Sequence, residues 1–341
     1  MIRKPKMLKR GDTVATVSLS WGGAGDPELI WRYEVGKQRL QDVFGLKVIE
    51  MPHTLSGSSF IADHPELRAQ DLMDAFLSPS INGIFTCIGG NDSIRLLPYL
   101  DLDVIAQNPK VFLGYSDSTV THLVCYKAGF SSFYGPSILA EFAENREIYP
   151  YTSKWVHKSL FTSHAPLEVE KPACWTSEYV PWTEENRDTM KHLFPHEGYR
   201  VLQGDGVAEG SLLGGCIEVL LQCINTPLWP DFSGSLLFLE SSEEASEPPQ
   251  YREYLLQLAA TGVFSQVRGI LVGKPYQGLH EHAYEIILLE ILRDLGLSSL
   301  VVATNLPFGH NEPMCLLPYG AQARFDCTKK TFTILERGVE P

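Results

Sequence analysis

The sequence predicts an α/β fold, and three observations carry the prediction. Apolar or β-branched runs alternate with helix-period segments through the first 140 residues. Several of those runs are apolar at every position, and each closes in a loop containing Gly or Ser. Repeated strand–loop–helix units of this length imply a parallel sheet with helices on both faces. In order, residues 13–20 (TVATVSLS) form a β-branched strand that ends in the Gly-rich loop 21–25. Residues 27–44 have helical spacing, and 46–51 read as a second strand. Residues 63–77 place Leu67, Leu72, Ala75 and Phe76 on one side of a helix, with Asp63 positioned to cap it. The run 81–88, closed by Gly89-Gly90, reads as a strand buried on both faces. A helix from 93 to 100, a strand at 111–114 and a helix at 119–128 follow. Ligands bind at the carboxyl ends of such strands, which points to residues 18–25, 89–92 and 114–117.

Residues 145–205 differ. They hold Trp155, Trp175 and Trp182 and a charged run at 183–191, with little periodicity, and are expected to form a linker plus an insertion loop. Beyond them, 204–215 is Gly-rich. Strands are expected at 235–240, 269–272 and 300–304, helices at 249–260 and 281–295, and a terminal hairpin at 323–325 with 331–335. The implied division is 1–150, a connecting stretch 151–205, and 206–341.

The 341 residues carry 28 Lys+Arg against 41 Asp+Glu, a net charge of −13. That length fits two domains, and that charge opposes a nucleic-acid polymer or an anionic membrane as partner. No apolar stretch is long enough to span a bilayer, and the basic N-terminus lacks the apolar segment of a signal peptide. The seven cysteines are odd in number and scattered without a Cys-x-x-Cys, the usage of a reducing cytoplasm. No metal site or cofactor is expected.

Four patterns are set aside. Residues 269–275 (GILVGKP) are one residue short of a phosphate loop and carry Pro where Ser or Thr would bind Mg²⁺. Residues 204–210 miss the dinucleotide fingerprint by one position. His280 and His282 stand two apart, which separates them on a helix. Glu243, Glu244 and Glu247 read as a solvated loop.

The candidate chemistry centres on residues 112–119 (FLGYSDST), where Ser116 and Ser118 compete at a strand-to-helix turn. Either could project its hydroxyl into the crevice as a nucleophile, and either could be a helix cap. Gly89-Gly90 would let bare backbone N–H groups approach a ligand, as an oxyanion hole requires. Glu240 ends an apolar strand, where a carboxylate caps a helix or orients a histidine. His310 follows another strand in a Gly/Pro loop, as a solvated side chain or as a base. A serine hydroxyl needs a base, and the base needs a carboxylate to fix its tautomer.

These residues resemble the LD-carboxypeptidase serine peptidases, and within them the microcin-immunity branch. The segment 113–117 (LGYSD) is similar to the nucleophile motif, which assigns that role to Ser116. The segment 237–240 (LFLE) resembles the one bearing the triad glutamate, and 306–310 (LPFGH) the histidine motif. Gly89-Gly90 resembles the oxyanion-hole glycine pair, with the N–H groups of Gly90 and Asp117 as donors. The resemblance implies an N-terminal flavodoxin-like domain, a smaller C-terminal swivelling β/α/β domain, a triad between them and a homodimer. Murein-cleaving members carry Arg before the glycine pair, where this chain has Ile88. Ile88-Gly89-Gly90 and the 145–205 insertion look instead like the branch in which a loop aromatic stacks on adenine. Trp175 is the first candidate stacking residue and Trp182 the second, with Gly89 beside them in substrate binding, and loop anchoring is the alternative reading of both tryptophans. The expected substrate is an amide between an amino acid or peptide and an adenylate-like group, cleaved in self-protection. The alternatives are a murein tetrapeptide and a non-catalytic small-molecule binding role. Cys216 stands where many relatives have Asn; packing is its expected role.

Overall fold

Residues 2–245 and 247–341 are described by a computed structural model of the chain. Strands β1 (Thr13–Val17), β2 (Lys47–Glu50), β3 (Gly83–Thr86), β4 (Val111–Gly114) and β5 (Phe133–Tyr134) pair in parallel in the order 2-1-3-4-5. This is the flavodoxin-like order, whose ligand crevice lies where the strand order reverses, between β1 and β3. Ala15 sits beside Ile84 and Ile84 beside Phe112. Every residue of β3 and β4 is buried, because helices cover both faces of the sheet. Those helices are α1 (Ile30–Phe44), α2 (Ser58–Asp63), α3 (Pro65–Leu77), α4 (Leu102–Gln107) and α5 (Thr119–Lys127). Asp63 does not cap α3 as expected. It ends α2, and α3 starts behind His64 at Pro65, which needs no N–H partner in a first turn.

A second sheet of eight strands follows. Its centre is four parallel strands, β10 (Val207–Cys216), β11 (Leu236–Glu240), β12 (Gly269–Gly273) and β13 (Val301–Leu306). Antiparallel flanks come from β15 (Gln322–Asp326), β16 (Thr331–Ile334) and β6 (Leu167–Val169) on one side and β9 (Arg200–Gln203) on the other. Helices α7 (Ile217–Gln222), α8 (Pro248–Ala260) and α9 (Glu281–Asp294) belong to this half. A two-residue strand, β14 (Leu317–Pro318), returns to the first sheet and pairs with β5, so the C-terminal half also completes the N-terminal sheet. The fold is α/β, as expected from the sequence, with two large sheets and one two-stranded hairpin among the described residues.

Two stretches hold more structure than their sequence announced. Within 151–205 the chain forms helix α6 (Pro150–Leu160), strands β6 and β9, and a small hairpin of β7 (Cys174–Trp175) and β8 (Phe194–Pro195). The buried face of α6 is Thr152, Trp155, Val156, Ser159 and Leu160. Two of those five positions are hydroxyl residues, which hides the apolar period. The Gly-rich segment is the ten-residue strand β10, and its glycines are steric necessities. A Cβ on Gly214 would lie 1.8 Å from the Phe238 carbonyl oxygen, and one on Gly215 would lie 2.5 Å from Thr119 Oγ1. Bare backbone there lets the start of α5 rest on the second sheet, with the Cys216 N–H donating to Thr119 Oγ1 at 3.2 Å.

Trp155 is fully buried. Trp155→Ala should therefore cost about 3–5 kcal/mol. Equilibrium urea unfolding should show a lower midpoint with an unchanged slope.

Candidate active site

A cleft of about 760 Å³ lies at the carboxyl ends of β1, β3 and β4 and is walled by both halves of the chain. Trp21, the 88–91 loop, Tyr115 and Ser116 come from the first half. Trp182, Lys191, Glu243, Glu244, His310 and Glu312 come from beyond it.

Ser116 occupies the turn between β4 and α5 with φ +60°. A left-handed backbone is uncommon for a residue with a Cβ and persists where its surroundings enforce it. Here the Ser116 N–H donates to the Tyr134 hydroxyl at 3.0 Å, and Thr119 Oγ1 donates to the Ser116 carbonyl at 2.7 Å. Ser118 points elsewhere, its hydroxyl 3.4 Å from Thr86 Oγ1 in the core. Of the two competing serines, Ser116 lines the cleft.

The glycine pair is fitted to this turn. A Cβ on Gly89 would lie 2.9 Å from Ser116 Cβ and 3.0 Å from its Oγ, and one on Gly90 would lie 2.2 Å from Ser20 Oγ. Among the described residues, neither the Gly90 nor the Asp117 N–H has a partner within the chain. The Asp117 carboxylate faces inward instead, accepting from the Ser93 N–H at 2.8 Å. Two unengaged donors near a serine hydroxyl have the chemistry of an oxyanion site.

Glu240 ends β11, and the His310 loop folds over it because Gly309 leaves room. A Cβ at Gly309, whose φ is +88°, would lie 2.6 Å from Glu240 Cβ. His310 Nδ1 meets Glu240 Oε2 at 2.6 Å. The other carboxylate oxygen accepts from the Tyr134 hydroxyl. Burial favours the neutral acid of Glu240, but the charge of His310 and the hydrogen bonds from His310 and Tyr134 outweigh it and hold the carboxyl below its ordinary value. Burial likewise opposes the imidazolium of His310. The charge and hydrogen bond of Glu240, with Glu243 and Glu218 behind them, lift its proton affinity above the usual histidine range. The His310 ring rests against the edge of Tyr115 at 5.1 Å between centroids. Ser116 and His310 share the cleft wall, and no hydrogen bond joins them directly among the described residues. Such contacts tighten when substrate binds.

The two candidate tryptophans are placed differently. Trp175 lies outside the cleft lining, with Lys274 Nζ 4.2 Å above its ring and Phe194 packed against it at 5.4 Å. Trp182 lines the cleft, with the buried Arg32 guanidinium 4.5 Å from its ring centroid. Cys216, Glu240 and His310 bring one metal-type donor each within 4.8 Å. Each donor is already engaged, Cys216 by donating to Glu218 Oε2 at 2.9 Å. Glu243 and Glu244, read from sequence as a solvated loop, are exposed and face the cleft. Sequence reasoning missed Tyr134, one of two aromatics in the two-residue strand β5, which carries no motif. It also missed Lys191, whose ammonium lies 2.6 Å from both Glu144 and Glu312.

Residues 14–135 match the LD-carboxypeptidase N-terminal domain and residues 209–325 its C-terminal domain. The chain belongs to the LD-carboxypeptidase family. It is 30% identical to the microcin C7 self-immunity protein MccF of Escherichia coli over 79% of this chain and 78% of that protein. The solved structure of microcin C7 self-immunity protein MccF in complex with aspartyl sulfamoyl adenosine superposes with a TM-score of 0.88 at 27% identity, covering 99% of this chain and 100% of that one. A probable murein peptide carboxypeptidase of Bacillus subtilis is 29% identical over 98% of this chain and 95% of its own. An MccF-like protein from Streptococcus pneumoniae, solved in complex with AMP, is 34% identical with a TM-score of 0.88, covering 96% and 99% of the two chains. As a member of this LD-carboxypeptidase family, the chain is a serine-peptidase-type hydrolase.

Tyr134→Phe removes the hydroxyl that serves both the Ser116 N–H and Glu240. Leaving those buried groups unsatisfied should destabilise the enzyme by about 1–3 kcal/mol, measurable by chemical denaturation of the otherwise folded variant.

Proposed function

We propose that the chain hydrolyses the amide between an amino acid or peptide and an adenylate-like group, using Ser116, Glu240 and His310. The observation that carries the reading is the Glu240–His310 pair, 2.6 Å apart at the wall of a cleft that also holds the left-handed Ser116. In this mechanism neutral His310 takes the Ser116 proton as Oγ attacks the carbonyl carbon. The Gly90 and Asp117 N–H groups hold the oxyanion. Glu240 stabilises the imidazolium, which then protonates the departing nitrogen as the C–N bond breaks. Water, deprotonated by the same ring, releases the acid and restores Ser116.

The substrate class is supported by three features. Ile88 stands before the glycine pair, so no cation there holds a peptide carboxylate. Trp182 offers an aromatic face in the cleft, and base stacking contributes about 1–3 kcal/mol. The relatives whose structures hold AMP and aspartyl sulfamoyl adenosine cover nearly the whole chain. A cytoplasmic setting belongs to this reading, supported by seven free thiols, five of them buried.

The test is incubation with an aminoacyl-sulfamoyl adenosine and, separately, with a murein tetrapeptide. Amino acid should be released from the first alone, and Ser116→Ala should lower the rate by at least about 10³-fold. Equal rates in wild type and Ser116→Ala would remove the triad, and D-alanine release alone would assign the murein substrate.

The pH profile gives a second check. His310 must be neutral to act as a base and its proton affinity is raised, so kcat/KM should climb with pH through a limb above the ordinary histidine value of about 6.5. Glu240→Gln takes away the charge responsible. Its limb should move to lower pH while the plateau falls by about 10²–10⁴-fold. A limb that stays in place would mean that Glu240 does not set the base.

A further inference from the structure

A second pocket, of about 240 Å³, lies away from the cleft on the other side of the loop that carries Trp182. It is lined by Val35, Gln38 and Arg39 of α1, by Arg146, and by Arg187 and Asp188 of the loop. Three guanidiniums around one small pocket are unusual in a chain with 13 more acids than bases. Elsewhere Arg68, Arg95, Arg200, Arg252, Arg293 and Arg324 each meet a carboxylate, while Arg3, Arg10, Arg32, Arg268 and Arg337 are scattered singly without one among the described residues. Among the described residues, Arg39, Arg146 and Arg187 have none within ion-pair distance.

The pocket is held in place by backbone contacts. Arg39 Nη1 donates to the carbonyls of Phe142, at 3.1 Å, and Glu144, which fixes the half-buried guanidinium. Arg146 has a left-handed backbone with φ +66°, and its N–H donates to the Arg187 carbonyl at 2.8 Å. The Arg146 guanidinium reaches Met190 Sδ at 2.9 Å. Burial lowers the proton affinity of Arg39. The charges of Glu144 and Glu147 oppose that, and the Arg187 charge adds to it.

The same turn faces the cleft on its other side. Asn145 accepts from buried Arg32 at 2.8 Å and donates to the Thr189 carbonyl at 3.2 Å, and Glu144 takes Lys191 at 2.6 Å. Arg32 underlies Trp182, and Lys191 lines the cleft. We propose that the Arg39–Arg146–Arg187 pocket binds a phosphate-class anion that fastens the 181–191 loop to α1 and so steadies the cleft wall. Guanidinium forks match phosphoryl oxygens in pairs, and an anion would balance three guanidiniums that share the pocket with a single carboxylate, Asp188. The volume suits a phosphoryl group, since sites for larger ligands run to about 300–1,000 Å³. Free phosphate and the phosphate of a nucleotide share this chemistry.

The test uses the full chain with Ser116→Ala, which keeps occupancy separate from turnover and leaves the catalytic proposal untouched by the result. Inorganic phosphate and AMP are titrated by calorimetry at constant ionic strength against chloride, and chymotrypsin cleavage within 181–191, whose sites the arginine substitutions leave intact, is timed in parallel. Saturable phosphate binding is expected, weakened about tenfold or more in Arg39→Gln/Arg187→Gln, with phosphate slowing loop cleavage only where both arginines remain. AMP binding that is unchanged in the double variant would be assigned to the cleft, leaving free phosphate as the occupant. AMP binding that weakens in parallel would make the nucleotide phosphate an occupant. Phosphate binding no stronger than chloride, or equal in the double variant, would overturn the proposal.

Discussion

Glu240 is a buried carboxylate at the seam between the two sheets, and much of the site is arranged around keeping it charged. An ionised acid in the interior needs a partner and hydrogen bonds on its remaining lone pairs. It receives one from each half of the chain, His310 on one oxygen and Tyr134 on the other. Tyr134 in turn accepts from the Ser116 N–H. The strained turn of one sheet and the histidine loop of the other are thereby tied to a single group. This explains why bare backbone recurs nearby: Gly309 lets the loop lie on Glu240, Gly89 leaves space beside Ser116, and Gly215 lets α5 approach β10.

What could be read in the sequence follows from where the physical cause was local. The runs 111–114 and 236–239 are apolar at consecutive positions because both faces are covered, and that pattern needs no tertiary knowledge. Ser116, Glu240 and His310 each follow such a strand, so their neighbourhood was legible from the rule that ligands sit at carboxyl ends. Tyr134 was not legible, since its role exists only once β5 lies between Ser116 and a strand about 100 residues away. Strand β10 was hidden because its glycines answer contacts with Phe238 and Thr119, so they read locally as a loop. Helix α6 was hidden by Thr152 and Ser159 on its buried face. The tryptophans show the same limit. Sequence put Trp175 ahead of Trp182, whereas Trp182 is the one that lines the cleft and Trp175 is packed by Phe194 and Lys274 outside that lining.

The charge of −13 takes on a specific meaning at the cleft. Among the described residues, Glu178, Glu243 and Glu244 line it together with Glu141 and Glu312, whose burial pushes them toward the neutral acid, and the one ammonium, Lys191, is already paired with Glu144 and Glu312. Such a wall offers little to a phosphate, so an adenylate-like group would have to be held by its base more than by its charge. An indole has two faces, and Trp182 rests one of them near Arg32, itself fixed by the Leu139 carbonyl and Asn145. A ring immobilised in this way gives up little rotamer freedom when a base stacks on its other face. The proposed substrate therefore agrees with an acidic protein: recognition by stacking would require no positive field, and the guanidinium beside Trp182 is buried against the aromatic ring.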